Sequence, residues 1–286
     1  MRPLRLAAAL LAAALLAPAA AHARFGEPQR FPRERSYGPQ EFALAGNERG
    51  DRVVVWRVPQ GFAFAQAAPG GAFRDPTVLP RSEYDSQTNM EVELDARGNA
   101  VFVWSYDDRT ETADVNARDG GCCFGLRARI IRRSGAFTAP KTLVPPGTDT
   151  QLADLHVNAA GRFGIVFRAA RNGFAPVTMQ ARFGTIARGF GGRERLPVAA
   201  RRFESLPDRL TVSFVRGRPR LLYPQSTEKR NSAFNPQLTA LRELERVRAG
   251  AWRGLASAAR MELIPSTVRL ATAPNGRQAA VWYTAY

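Results

Sequence analysis

Short runs in which apolar and polar residues alternate, or in which β-branched and aromatic residues cluster, recur along the chain between Gly, Asn, Asp and Pro, the pattern of half-buried β-strands joined by turns. The runs have a period. A glycine followed six residues later by an aromatic residue, with an apolar stretch between, occurs five times: Gly50 to Trp56, Gly98 to Trp104, Gly161 to Phe167, Gly217 to Tyr223 and Gly276 to Trp282. The clearest copies read E-V-E-L-D-A-R-G-N-A-V-F-V-W and D-L-H-V-N-A-A-G-R-F-G-I-V-F. Each predicts a β-hairpin whose turn needs the positive φ that glycine supplies. Asn47, Asp95 and Asn158 stand three residues before their glycines, where a short polar side chain can hydrogen-bond the turn backbone.

A second motif interleaves with the first: an aromatic residue, proline three positions on, and an apolar residue six on. It appears as Phe25/Pro28/Phe31, Phe73/Pro76/Leu79 and Phe137/Pro140/Leu143, then without proline as Phe190/Leu196, with Trp252 as a degenerate fifth copy. From this aromatic to the hairpin glycine the spacing is 25, 25, 24, 27 and 24 residues. A further strand, seen in F-A-F-A-Q-A, L-R-A-R-I-I-R and V-T-M-Q-A-R-F, lies between the two motifs. Units of four strands repeated at this length predict an all-β chain, a five-bladed β-propeller of four-stranded antiparallel blades. The expected units lie near 42–79, 91–143, 154–196, 210–258 and 268–286, the last open to closure by 24–31.

The repeats resemble those of secreted bacterial β-propellers, and V-E-L-D-A-R-G-N-A-V-F-V-W is similar in shape to units of NHL-type and sialidase-like propellers. That resemblance implies a rigid scaffold on which connections between strands carry function. The sialidase motif S-x-D-x-G-x-x-W is not matched, because Gly98 follows Asp95 by three positions and Trp104 comes six later.

Composition then adds a compartment. Arg2 and Arg5 precede an Ala/Leu run over residues 6–17, Pro18 follows, and Ala21-His22-Ala23 has the small-residue form of a cleavage site. Residues 1–23 therefore read as a secretory signal peptide, and residues 24–286 as a single exported, monomeric propeller domain with no transmembrane segment. Cleavage would remove one of the two histidines and leave His156 alone, which excludes two-histidine zinc motifs from the exported chain. His156, between Leu155 and Val157, reads as packed or hydrogen-bonded rather than as a lone base.

Candidate chemistry concentrates where the connections lengthen. From hairpin aromatic to second-motif aromatic the span varies as 17, 33, 23 and 29 residues, so insertions collect on one face. Tyr106, Asp107 and Asp108 in the second unit, with Tyr84, Asp85, Asp149 and Asp154 from the connections entering the next hairpins, are the candidate binding residues. Clustered acids there raise Ca²⁺ as a ligand, but the spacing matches no EF-hand, and the expectation is no cofactor and no metal. Cys122 and Cys123 are the only cysteines; an oxidising compartment favours a vicinal disulfide between them and the strain of bridging adjacent residues opposes it, which leaves free or intermolecular thiols as the alternative. The net charge of +16 suits an acidic polysaccharide or another cell-surface polyanion, and no nucleic-acid motif accompanies it. The leading expectation is a non-enzymatic scaffold that binds an extracellular or cell-surface polymer. The alternative is a carbohydrate-active enzyme on the same face, a sialidase-like glycoside hydrolase or lyase.

Overall fold

Turn chemistry sets the local structure. The computed structural model describes residues 42–58, 61–80, 90–107, 124–145, 148–171, 178–198, 210–226, 239–255, 259–261, 267–272 and 278–283. Gly98 and Gly161 have φ of 81° and 76°, the region where a side chain would be strained, and Gly50 and Gly217 share that sign. Asp95 Oδ1 accepts hydrogen bonds from the backbone N–H of Arg97 (2.9 Å) and Asn99 (2.8 Å). Asn47 Oδ1 accepts from Arg49 N–H (3.1 Å) and Asp51 N–H (3.0 Å), and Asn158 Oδ1 from Arg162 N–H (2.9 Å). The short polar side chains thus close the first three hairpins as the sequence pattern predicts.

The strands that grow from these turns form consecutive antiparallel sheets. The first contains β1 (Phe42–Gly46), β2 (Arg52–Val58), β3 (Gly61–Ala67) and β4 (Thr77–Pro80). The second contains β5 (Met90–Leu94), β6 (Ala100–Asp107), β7 (Phe124–Ile131) and β8 (Lys141–Val144). The third contains β9 (Thr148–Val157), β10 (Arg162–Arg171), β11 (Thr178–Thr185) and β12 (Gly189–Arg195). The fourth contains β13 (Thr211–Val215), β14 (Arg218–Ser226), β15 (Thr239–Arg248) and β16 (Ala251–Gly254), with β17 (Ala259–Met261) also paired to β15. β18 (Thr267–Thr272) and β19 (Gln278–Tyr283) make a further hairpin.

Proline decides where the outer strands begin. β4 starts at Thr77, directly after Pro76, and β8 at Lys141, directly after Pro140. A proline has no N–H to give a ladder, so pairing starts one residue later. Phe73 therefore precedes its strand, and Phe137 makes only an isolated bridge to Ile131 before β8 begins. Phe137 packs edge-on against Phe64 of the first sheet, with ring centroids 6.2 Å apart.

Packing runs face to face between successive sheets. Val53, Val55, Phe62 and Phe64 of the first sheet form one core with Val92, Leu94, Phe102 and Trp104 of the second. Val101, Val103 and Leu126 of the second join Leu155, Phe163, Ile165 and Phe167 of the third. Val166, Met179 and Phe183 of the third join Val212, Phe214, Leu221 and Tyr223 of the fourth. Strand alternation sends neighbouring residues into different cores, as Val101 and Phe102 do. Each fully buried large side chain is worth roughly 1.5–3 kcal/mol, so these layers dominate cohesion between sheets. The hairpin aromatics Trp104, Phe167 and Tyr223 sit in these cores, which makes them packing residues. First strands also meet in order, β1 against β5, β5 against β9, β9 against β13 and β13 against β18. Sheets stacked through both faces, with their first strands side by side, are the blades of a β-propeller. Among the described residues no helix is long and apolar enough to cross a membrane.

Candidate functional site

In β5 and in the last four residues of β9 the charged side chains share one side of the strand. In β5, Val92 and Leu94 pack toward the first sheet, so alternation turns Glu91 and Glu93 toward the third. In β9, Leu155 and Val157 pack toward the second sheet, which turns Asp154 and His156 toward the fourth. In β13, Val212 and Phe214 pack toward the third sheet.

Just before this stretch the register of β9 breaks. Val166 pairs with Asp154 but Phe167 pairs with Leu152, so Ala153 is an extra residue, a β-bulge. The bulge puts Ala153 in the core shared with the fourth sheet while Leu152 returns to the core shared with the second. Without it, strict alternation would place Leu152 on the same side as Asp154 and His156.

Glu93 and Asp154 each reach across to the inner strand of the next sheet. Glu93 Oε2 accepts the Val157 N–H at 2.8 Å and lies 3.2 Å from His156 Nδ1. Asp154 Oδ2 accepts the Val212 N–H at 2.7 Å and the Thr211 hydroxyl at 2.8 Å. The first strand of each sheet is an edge with inward backbone donors, and these carboxylates satisfy two of them. Asp154 is 8% exposed, so its two donors are held away from solvent. Phe214 stacks on His156 with centroids 6.0 Å apart. Burial works against a charge on His156, but the Glu93 hydrogen bond and the charges of Glu93 and Asp154 outweigh it, and the imidazole pKa is raised above 6.5.

These residues border a cavity of about 390 Å³. Its walls are Ala43 and Leu44 of β1, Met90 through Glu93 of β5, Asp154 through His156 of β9, and Thr211 with Val212 of β13. The size falls within the roughly 300–1,000 Å³ typical of small-molecule sites. Glu93 presents an acceptor and His156 a donor within one pair, the complement of a hydroxyl that donates and accepts. Among the described residues, no group of three metal-ligand side chains converges.

Of the residues expected from sequence, Asp154 lines the cavity. Tyr106 is 2% exposed, packs between the first and second sheets, and donates its hydroxyl to Val144 O at 3.4 Å, with the Arg127 guanidinium 4.0 Å above its ring. Asp107 pairs with Phe124 in β6–β7, and Asp149 with Ala170 in β9–β10. Tyr84, Asp85, Asp108, Cys122 and Cys123 lie outside the described residues. Glu91 and Glu93 line the cavity although they are not among the candidates above; the E-V-E alternation in M-E-V-E-L is the signal that puts two acids on one side of an inner strand.

No family model and no curated protein matches the chain. Solved structures do. The GH93 α-L-arabinofuranosidase of Fusarium graminearum, solved with arabinobiose, is similar at a TM-score of 0.50 and 10% identity, over 84% of this chain and 73% of that one. A protein of unknown function from Dyadobacter fermentans is similar at a TM-score of 0.52 and 10% identity, over 84% of this chain and 74% of that one. An endo-arabinase from Bacteroides thetaiotaomicron is similar at a TM-score of 0.44 and 10% identity, over 82% and 89%. Likeness at such identity speaks for the shared propeller fold alone.

Proposed function

We propose that the chain is an exported β-propeller that binds a saccharide in the cavity framed by its inner strands. The cavity carries this reading: four sheets converge on it, and it joins apolar wall to the Glu93–His156 pair and Asp154. Export rests on the leader read in residues 1–23, and residues 24–286 would act as one domain. The longer connections, over residues 108–123 and 227–238, are the proposed extension of the surface to a polymer. The Fusarium enzyme, solved with arabinobiose, is an instance of a similar fold holding a saccharide.

Binding is favoured over hydrolysis because Glu93 and Asp154 each hold a backbone N–H of the neighbouring sheet. Titration calorimetry of the full chain against neutral, acidic and amino oligosaccharides tests the reading. At least one class should bind, and His156→Gln should weaken it roughly tenfold, about 1.4 kcal/mol, the order of one lost hydrogen bond. Absence of binding to every class sinks the reading, and release of reducing ends would replace it with the hydrolase.

A further inference from the structure

The cavity runs against the charge of the chain. Lys and Arg number 41 against 25 Asp and Glu overall, yet among the described residues the ionisable ones lining the cavity are Glu91, Glu93, Asp154 and His156. Even with the imidazole protonated, the described lining is net negative. Glu93 uses Oε2 for both of its bonds, to Val157 N–H and His156 Nδ1, and its side chain is 36% exposed. Among the described residues no donor occupies Oε1. A second wall is apolar, with Leu44 60% exposed and Met90 beside it. A ligand complementary to both walls carries a positive group on an otherwise weakly polar face.

Resting on the reading of the cavity as a saccharide site, we propose that its preferred ligand is a saccharide bearing a protonated amine. The ammonium seats at Glu93 Oε1, and the C–H face of the sugar ring lies against Leu44 and Met90. A uronate or sulfated sugar meets like charge in the same place, and a neutral sugar forgoes the ion pair. Long-range attraction cannot imitate this preference, because the chain as a whole is strongly positive and repels a cationic oligosaccharide.

The test is calorimetry on the full chain, at a pH where the amine is protonated, with three tetramers: β-1,4-linked glucosamine, its fully N-acetylated counterpart, and galacturonate. The amino tetramer should bind at least tenfold tighter than the N-acetylated one, with galacturonate weakest. Glu93→Gln keeps an acceptor for Val157 N–H and removes the charge, so it should erase the amine preference by weakening the amino tetramer more than the N-acetylated one. If that variant loses its native circular dichroism, salt supplies the second measurement: in the wild type the preference should shrink as NaCl rises from about 0.05 to 0.5 M. Equal or tighter binding of the N-acetylated tetramer, or a preference indifferent to salt, overturns the amine assignment and leaves the saccharide site standing. Failure of all three tetramers and of the neutral oligosaccharides together overturns both.

Discussion

Asp154→Ala should destabilise the protein by about 2–4 kcal/mol. Asp154 Oδ2 is the acceptor for Val212 N–H and for the Thr211 hydroxyl, and both donors are buried. A buried donor left without an acceptor costs roughly 1–3 kcal/mol, so two such donors set a gross penalty of about 2–6 kcal/mol. Removing the carboxylate also recovers the cost of having buried it, which brings the net to the lower half of that range. Urea unfolding followed by tryptophan fluorescence reads the change as a shifted midpoint at constant slope. Thr211→Val alone should cost about 1 kcal/mol. In the Asp154→Ala background it should cost nearly nothing, because the hydroxyl has already lost its acceptor, and the double-mutant cycle should give a coupling of about 1 kcal/mol. A loss below about 0.5 kcal/mol for Asp154→Ala, or additive effects in the cycle, would refute the assignment of Asp154 as the clasp between the third and fourth sheets.

Other consequences are open to measurement. Gly98→Val should lower the melting temperature and cost about 1–3 kcal/mol, because φ is 81° and a Cβ would lie 3.2 Å from Asp51 Cγ and Arg133 Cγ. Gly70→Ala, at φ 69° with nothing within 4 Å of its Cβ, isolates the backbone share and should cost less; equal losses would dismiss the clash. His156 has a folded pKa raised above 6.5, so its charge adds stability that is complete below the unfolded value and fades as pH rises through the folded value. His156→Gln should flatten stability against pH across that window, and an unchanged profile would remove the Glu93–His156 pair from the account. Glu194 of β12 receives Arg246 Nε of β15 at 3.0 Å and Gly250 N–H at 3.0 Å. Glu194→Gln should therefore lower the urea midpoint by an amount that 0.5 M NaCl reduces; insensitivity to salt would mean that the ion pair contributes nothing.

Much of the fold was legible because it depends on local chemistry. The glycines mark positive φ, Asn47, Asp95 and Asn158 mark the turns that they close, and Pro76 and Pro140 mark where outer strands start. The site was less legible because it depends on which strands become neighbours. Alternation in M-E-V-E-L says that Glu91 and Glu93 share a side, but only the stacking of β5 on β9 brings Glu93 to His156 and Val157. The bulge at Ala153 has no signature in L-A-D-L-H-V, since a register break belongs to a pair of strands rather than to one. Asp154, a candidate binding residue by sequence, has a seam to hold as well as a cavity to line, through its hydrogen bonds to Thr211 and Val212.

That seam has a polarity. The second sheet extends an acid and the third offers the donor; the third extends an acid and the fourth offers the donor. Front meets back each time, so the association is heterologous, and its natural end states are a ring or an endless file of subunits. A fragment cut out between two such seams would carry one unanswered acid and one unanswered edge, complementary to each other. Its copies should line up nose to tail into fibres, and joining all the blades in one polypeptide keeps that tendency within a single molecule.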